Sequence, residues 1–139
     1  MIEKVHQHIL DELTQSSRTD TIFVITAVLF NLIILAVNSG VAQSAVSENA
    51  KSSDDFLFIT FIFMNIIVNG IAIAALTTGK NTRNKLLLGL FNMYKDHDVE
   101  KYYDMSLLTN YSKRYVLFTA VLICLVIVSV IVPVSIRFL

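Results

Sequence analysis

The chain has 139 residues, 55% of them hydrophobic and 16% charged, with 11 basic and 11 acidic side chains and a formal net charge of zero. A mean hydropathy of +0.65 excludes an ordinary soluble domain of this size, whose surface must be mostly polar. The single cysteine, Cys124, excludes an intrachain disulfide and, inside an apolar run, reads as a small buried packing residue.

Residues 1–20, MIEKVHQHILDELTQSSRTD, set Ile2, Val5, Ile9 and Leu13 at spacings of three and four with Leu10 beside them. That pattern predicts a short amphipathic helix. Its polar face carries Glu3, Asp11 and Glu12 against Lys4, the reverse of what anionic lipid selects, so the apolar stripe is expected to dock on another helix. His6 and His8 lie on opposed sides of such a helix and cannot share a metal ion. Both are expected to be solvated. Ser16, Ser17, Thr19 and Asp20 supply N-cap chemistry for a first transmembrane helix over 21–43, and about 20 helical residues cover the ~30 Å hydrocarbon core. The run is too long for a signal-peptide core and follows a segment that is not basic, so a retained anchor is expected.

A polar linker, 44–55, with Glu48, Asp54 and Asp55 against Lys51, leads into a second, antiparallel transmembrane helix over 56–79. Residues 80–114 form the one sizeable polar region. Asn81 or Thr82 is predicted to cap a helix carrying Leu86, Leu87, Leu88, Leu90, Phe91 and Met93. The polar tetrad Lys95-Asp96-His97-Asp98 breaks that pattern, and Asp98 is predicted to cap a further helix through Val99, Tyr102, Tyr103, Met105 and Leu107 or Leu108. A third transmembrane helix is predicted over 115–136. Its Pro133 has no N–H and clashes with the Ser129 carbonyl, so the final turn is expected to kink or fray, with the Ser129 hydroxyl as one partner for the freed groups.

The expected architecture is thus an all-α integral membrane protein with three transmembrane helices, an N-terminal amphipathic helix and a helical arm between spans two and three. Lys4 and Arg18, with Lys80, Arg83, Lys85, Lys95, Lys101, Lys113 and Arg114, fall on one side of the membrane, and only Lys51 and Arg137 on the other. The excess of basic residues on the cytoplasmic side of membrane proteins then puts the N-terminus and the arm in the cytoplasm and the C-terminus outside, in a plasma or bacterial inner membrane. Arg137 is close enough to its span's end to snorkel.

No Asp, Glu, Lys, Arg or His lies within the three spans, which argues against a proton relay, a voltage sensor or an ion-coupled transporter. The spans carry carboxamides instead: Asn31 and Asn38 one heptad apart, Asn65 and Asn69 one turn apart, so each pair shares a helix face. Lipid offers them no hydrogen bonds, so they must meet protein or water. As interhelical glue each bond contributes roughly 0.6 to 2 kcal/mol; as rings around a symmetry axis the same amides would wet a pore without strong charge selectivity. Gly70 and Ala74 form a small-xxx-small pair that permits close helix approach.

Asp96, Asp98 and Glu100 imitate the start of a calcium loop, but Lys101 stands at the glycine position and Leu107 at the final glutamate, so no metal is expected. No phosphate-binding glycine loop, catalytic triad or CxxC occurs, and neither enzyme activity nor a cofactor is expected. Tyr94, Tyr102, Tyr103 and Tyr111 read as interfacial packing residues and not as a platform for nucleic acid. A cytoplasmic protein or a nucleotide is the ligand class the basic, aromatic arm would take. Three spans with four asparagines lead to a homo-oligomer: an ion channel or membrane-permeabilising effector gated through the arm, or a non-conducting anchor or scaffold of a larger complex. The layout of helix, hairpin and cytoplasmic helix resembles the SLATT-type small membrane effectors of bacterial defence systems, while the third span departs from their two-span pattern.

Overall fold

The computed structural model describes residues 1–47 and 52–139. Glu48 and Lys51 of the expected linker lie outside the described residues. The fold is all-helical: α1 spans Ile2–Val46, α2 Ser52–Asp96 and α3 Ser106–Phe138, with a 3-10 turn at Glu100–Tyr102. No strand occurs among the described residues. All three helices are long and apolar enough to cross a membrane.

α1 and α2 are each 45 residues long, about 68 Å at the α-helical rise and roughly twice the hydrocarbon thickness. Two expected breaks are absent. Neither the expected N-cap at Ser16, Ser17, Thr19 and Asp20 nor that at Asn81 or Thr82 starts a helix; α1 and α2 continue through both. Within α1 the hydroxyls of Thr14, Thr19 and Thr21 donate to carbonyls four residues back, those of Leu10, Gln15 and Ser17, at 2.9, 3.0 and 2.9 Å. Hydroxyl residues satisfied in this way are tolerated inside a helix. The separate amphipathic helix of 1–20 is the first part of α1, and its apolar stripe docks on the continuation of α2: Leu13 packs with Leu87 and Leu90, flanked by Ile9, Leu10 and Met93.

α1 and α2 are antiparallel in a constant register, in which paired residue numbers add to 100: His6 meets Tyr94 and Asn31 meets Asn69. α3 runs parallel to α1, since Tyr115, Ser129 and Arg137 meet Asp20, Asn31 and Ala45 in ascending order on both helices. A second apolar core, Ala27, Ala72, Leu76, Tyr115 and Leu122, lies further along the bundle. The outer faces are lined by exposed Ile, Leu, Val and Phe, among them Ile25, Ile33, Phe63, Ile71 and Leu117.

Asp98 ends α2 instead of starting a helix. It adopts a left-handed φ of 57°, Val99 N–H donates to the Tyr94 carbonyl at 3.0 Å, and Asp98 N–H donates to the Lys95 carbonyl at 3.2 Å. These are the two bonds of a Schellman cap, with aspartate at the position glycine usually takes. The predicted helix through Val99–Leu108 is thereby divided: one 3-10 turn, then the start of α3 at Ser106, whose N–H donates to the Asp104 carboxylate at 2.9 Å. Pro133 does not end α3, which continues to Phe138.

Candidate functional site

Polar side chains tie the helices together at three levels along the bundle. The middle level holds Asn31, Asn65, Asn69 and Ser129, all 2% exposed or less. Asn31 Nδ2 donates to Asn69 Oδ1 at 2.7 Å, and Asn69 Nδ2 returns the bond to Asn31 Oδ1 at 3.1 Å. Asn31 Nδ2 also reaches the Ala27 carbonyl at 2.8 Å, and Asn69 Nδ2 reaches the Asn65 carbonyl and Oδ1 at 2.8 and 2.9 Å. Asn65 Nδ2 donates to Ser129 Oγ at 2.7 Å. The Ser129 proton has the Val126 carbonyl at 2.9 Å and Asn31 Oδ1 at 3.4 Å as acceptors, the nearer favoured. The hydroxyl expected to serve the break at Pro133 is therefore turned to Asn65 and to its own preceding turn. Spacing places Asn65 with Asn69 and Asn31 with Asn38; the structure joins Asn31 to Asn65 and Asn69 and adds Ser129 as their link to α3.

Asn38 is fully buried, and neither its Nδ2 nor its Oδ1 has a hydrogen-bond partner among the described residues. It stands apart from the Asn31 network. Gly70 and Ala74 face outward, with nothing within 4 Å of the position a Gly70 Cβ would occupy, so they mediate no close approach within the chain. Cys124, expected to be buried, is also exposed.

The second level lies where the polar ends of α1 and α2 begin. Tyr115 on α3 donates its hydroxyl to the Asp20 carboxylate on α1, and Arg83 on α2 neighbours the same hydroxyl. Gly79 makes this possible, because a Cβ there would collide with Asp20 Oδ1. Arg83 lies over the Tyr111 ring, 4.7 Å from its centroid, a cation–π distance. Lys80 is half-buried, whereas Lys85, Lys113 and Arg114 are exposed. Of Lys80, Arg83, Lys85, Lys113 and Arg114, Arg83 is the one held in a ring contact among the described residues.

The third level closes the opposite end. Arg137 Nη2 and Nε meet Asp55 Oδ1 at 2.9 and 3.0 Å, and Nη1 donates to the Ala45 carbonyl at 3.0 Å. Arg137 therefore folds back on α1 and α2. Beyond the second level, His6, expected to be solvated, is half-buried, with its Nε2 3.0 Å from the Tyr94 hydroxyl. Tyr94 also stacks obliquely on Tyr103, centroids 5.3 Å apart. Burial, followed by the nearby Tyr111 and Tyr94, raises the Tyr103 pKa above the usual tyrosine value. The Asp104 carboxyl is held below its usual value by the backbone N–H of Ser106, with a smaller contribution from the Ser106 side chain.

Among the described residues no three His, Cys, Asp or Glu side chains converge as metal ligands. Chemically, the middle level is neutral amide and hydroxyl groups, the second a tyrosine–carboxylate pair with Arg83 beside it, and the third an arginine–carboxylate ion pair. Comparison of the chain with protein-family models, with curated proteins and with solved structures finds no match.

Sequence reasoning misses Asp20, Gly79 and Tyr115 as a unit. The signal is present: if Asn31 and Asn69 pair in an antiparallel register and both helices run unbroken, Asp20 falls opposite Gly79 and Lys80. The assumption of a break at residue 20 conceals it.

Proposed function

We propose that the chain is a non-conducting membrane anchor: a three-span bundle in a plasma or bacterial inner membrane that carries a helical cytoplasmic stalk for a larger complex. One observation carries the reading. The Asn31, Asn65, Asn69 and Ser129 groups are joined to one another inside a single chain, Asn38 is buried in the same chain, and exposed Ile, Leu, Val and Phe dominate the outer faces, so none of these four asparagines is turned outward to wet a path between copies. The stalk comprises the ends of α1 and α2 beyond Asp20 and Gly79, held by their own apolar core. The asymmetry of Lys and Arg supports its cytoplasmic location. Outward-facing Gly70 and Ala74 support lateral association of copies.

Flux from liposomes tests this. Purified protein is expected to release neither ions nor dye above empty vesicles. Conductance whose selectivity changes in Asn65→Leu or Asn69→Leu, with the oligomer intact, would replace the anchor with the pore-forming effector. Cross-linking of an Ala74→Cys variant in a Cys124→Ser background reports on the association of copies.

A further inference from the structure

Two clefts adjoin on the bundle surface where the apolar segment ends. The larger has a volume of about 530 Å³ and includes Thr14, Ser17, Arg18, Arg83, Tyr103 and Tyr111 in its lining. The smaller, about 190 Å³, shares Ser17, Arg83 and Tyr111 and adds Asp20 and Arg114. The two clefts thus meet at Ser17, Arg83 and Tyr111, and to the groove they make up α1, α2 and α3 each contribute an arginine. The lone lining carboxylate, Asp20, already accepts the Tyr115 hydroxyl. The floor of the larger cleft is apolar, with Leu10, Leu13, Leu87 and Leu90.

Exposed Arg18 and Arg114 are what any cytoplasmic membrane flank would show. Arg83 differs. It is half-buried, its guanidinium carbon lies 4.7 Å from the Tyr111 ring centroid, and its Nε is shielded from solvent without a partner among the described residues. An unmet guanidinium N–H in such a position favours an acceptor brought by a ligand. Guanidinium forks match phosphoryl oxygens in geometry as well as charge, and the hydroxyls of Ser17 and Tyr111 stand in the same lining as further donors.

We infer that this groove binds a phosphoryl group attached to an apolar or aromatic body, with Arg83 as its central contact and Arg18 and Arg114 on its flanks. Two sources carry that chemistry: the headgroup of an anionic phospholipid in the adjoining leaflet, and a soluble organic phosphate. The inference stands whether or not the bundle conducts.

The test uses the full chain. In one arm it is reconstituted into phosphatidylcholine vesicles doped with phosphatidic acid, and native mass spectrometry reads the lipid retained. In the other, inorganic pyrophosphate is titrated onto protein in phosphatidylcholine nanodiscs, with the thermal unfolding midpoint as readout and sulfate as control. At least one probe is expected to bind, and Arg83→Gln to weaken it about tenfold, as loss of a charge-assisted contact does. Lys85→Gln, an exposed neighbour that lines neither cleft, is expected to leave binding unchanged. Selective retention of phosphatidic acid alone identifies the lipid as the source, and a pyrophosphate shift alone identifies a soluble phosphate. Should Arg83→Gln fail to fold, Arg18→Gln carries the same comparison from an exposed position. The inference is overturned if neither probe exceeds its control, or if Lys85→Gln weakens binding as much as the groove variant.

Discussion

Asn31 and Asn69 exchange hydrogen bonds in both directions across α1 and α2, at 2.7 and 3.1 Å. Replacing one partner strands the other in an apolar bundle, so Asn69→Leu is expected to destabilise the fold by about 1 to 3 kcal/mol. Leucine at both positions removes donors and acceptors together. The double variant Asn31→Leu/Asn69→Leu should therefore cost clearly less than the sum of the singles, with a coupling of about 1 kcal/mol or more. Unfolding in mixed micelles measures all four corners of the cycle. Strict additivity would refute the reciprocal pair.

Gly79 and Gly89 both lie on α2, yet alanine should act oppositely at the two. At Gly89 an added Cβ meets nothing within 4 Å, and the change should stabilise the helix by up to ~1 kcal/mol through backbone propensity. At Gly79 the Cβ collides with the Asp20 carboxylate and turns it from the Tyr115 hydroxyl. Loss of a hydrogen bond to a charged group costs roughly 1.5 to 3 kcal/mol, which exceeds the propensity gain. Gly79→Ala should accordingly lower the thermal midpoint and Gly89→Ala raise it. Tyr115→Phe should reproduce most of the Gly79→Ala loss, and the two changes combined should be less than additive.

Asp98 holds a φ of 57° to complete the cap at the end of α2. A β-branched residue there meets the full left-handed penalty, so Asp98→Val should destabilise by about 1 to 2 kcal/mol, whereas Asp98→Gly should be neutral or stabilising. Hydrogen exchange at Val99, whose amide forms the longer-range bond of the cap, should accelerate in the valine variant alone.

The three apolar helices are legible in the sequence because runs of more than 20 residues without a charge leave few alternatives in water. The pairing of Asn65 with Asn69 on one face follows from spacing in the same way. Helix boundaries are not legible. Ser16, Ser17, Thr19 and Asp20 have cap chemistry, but Thr19 and Thr21 spend their hydroxyls on carbonyls one turn back, and no glycine or proline in that stretch forces the chain out of helical geometry. Asp98 reverses its predicted role for a related reason: a short acidic side chain serves a helix start, yet also tolerates left-handed backbone at a helix end. Burial of Arg83 depends on α3 placing Tyr111 beside it, which local pattern does not reveal.

Tyr103 gives the bundle an alkaline limit. Its pKa is raised above the usual value by burial first and then by Tyr111 and Tyr94, so the folded state holds its proton at pH values where the unfolded chain, titrating near 10, has begun to release it. A folded pKa above the unfolded one means that the stabilising contribution is complete below the unfolded value and is lost as pH rises through the folded one. Stability should therefore decline from about pH 10 upward, and Tyr103→Phe should flatten that decline relative to wild type. Spectrophotometric tyrosinate titration checks the assignment independently: the variant should lose one late-titrating phenol. If the titration curve loses an early phenol instead, Tyr103 is not the residue that burial protects.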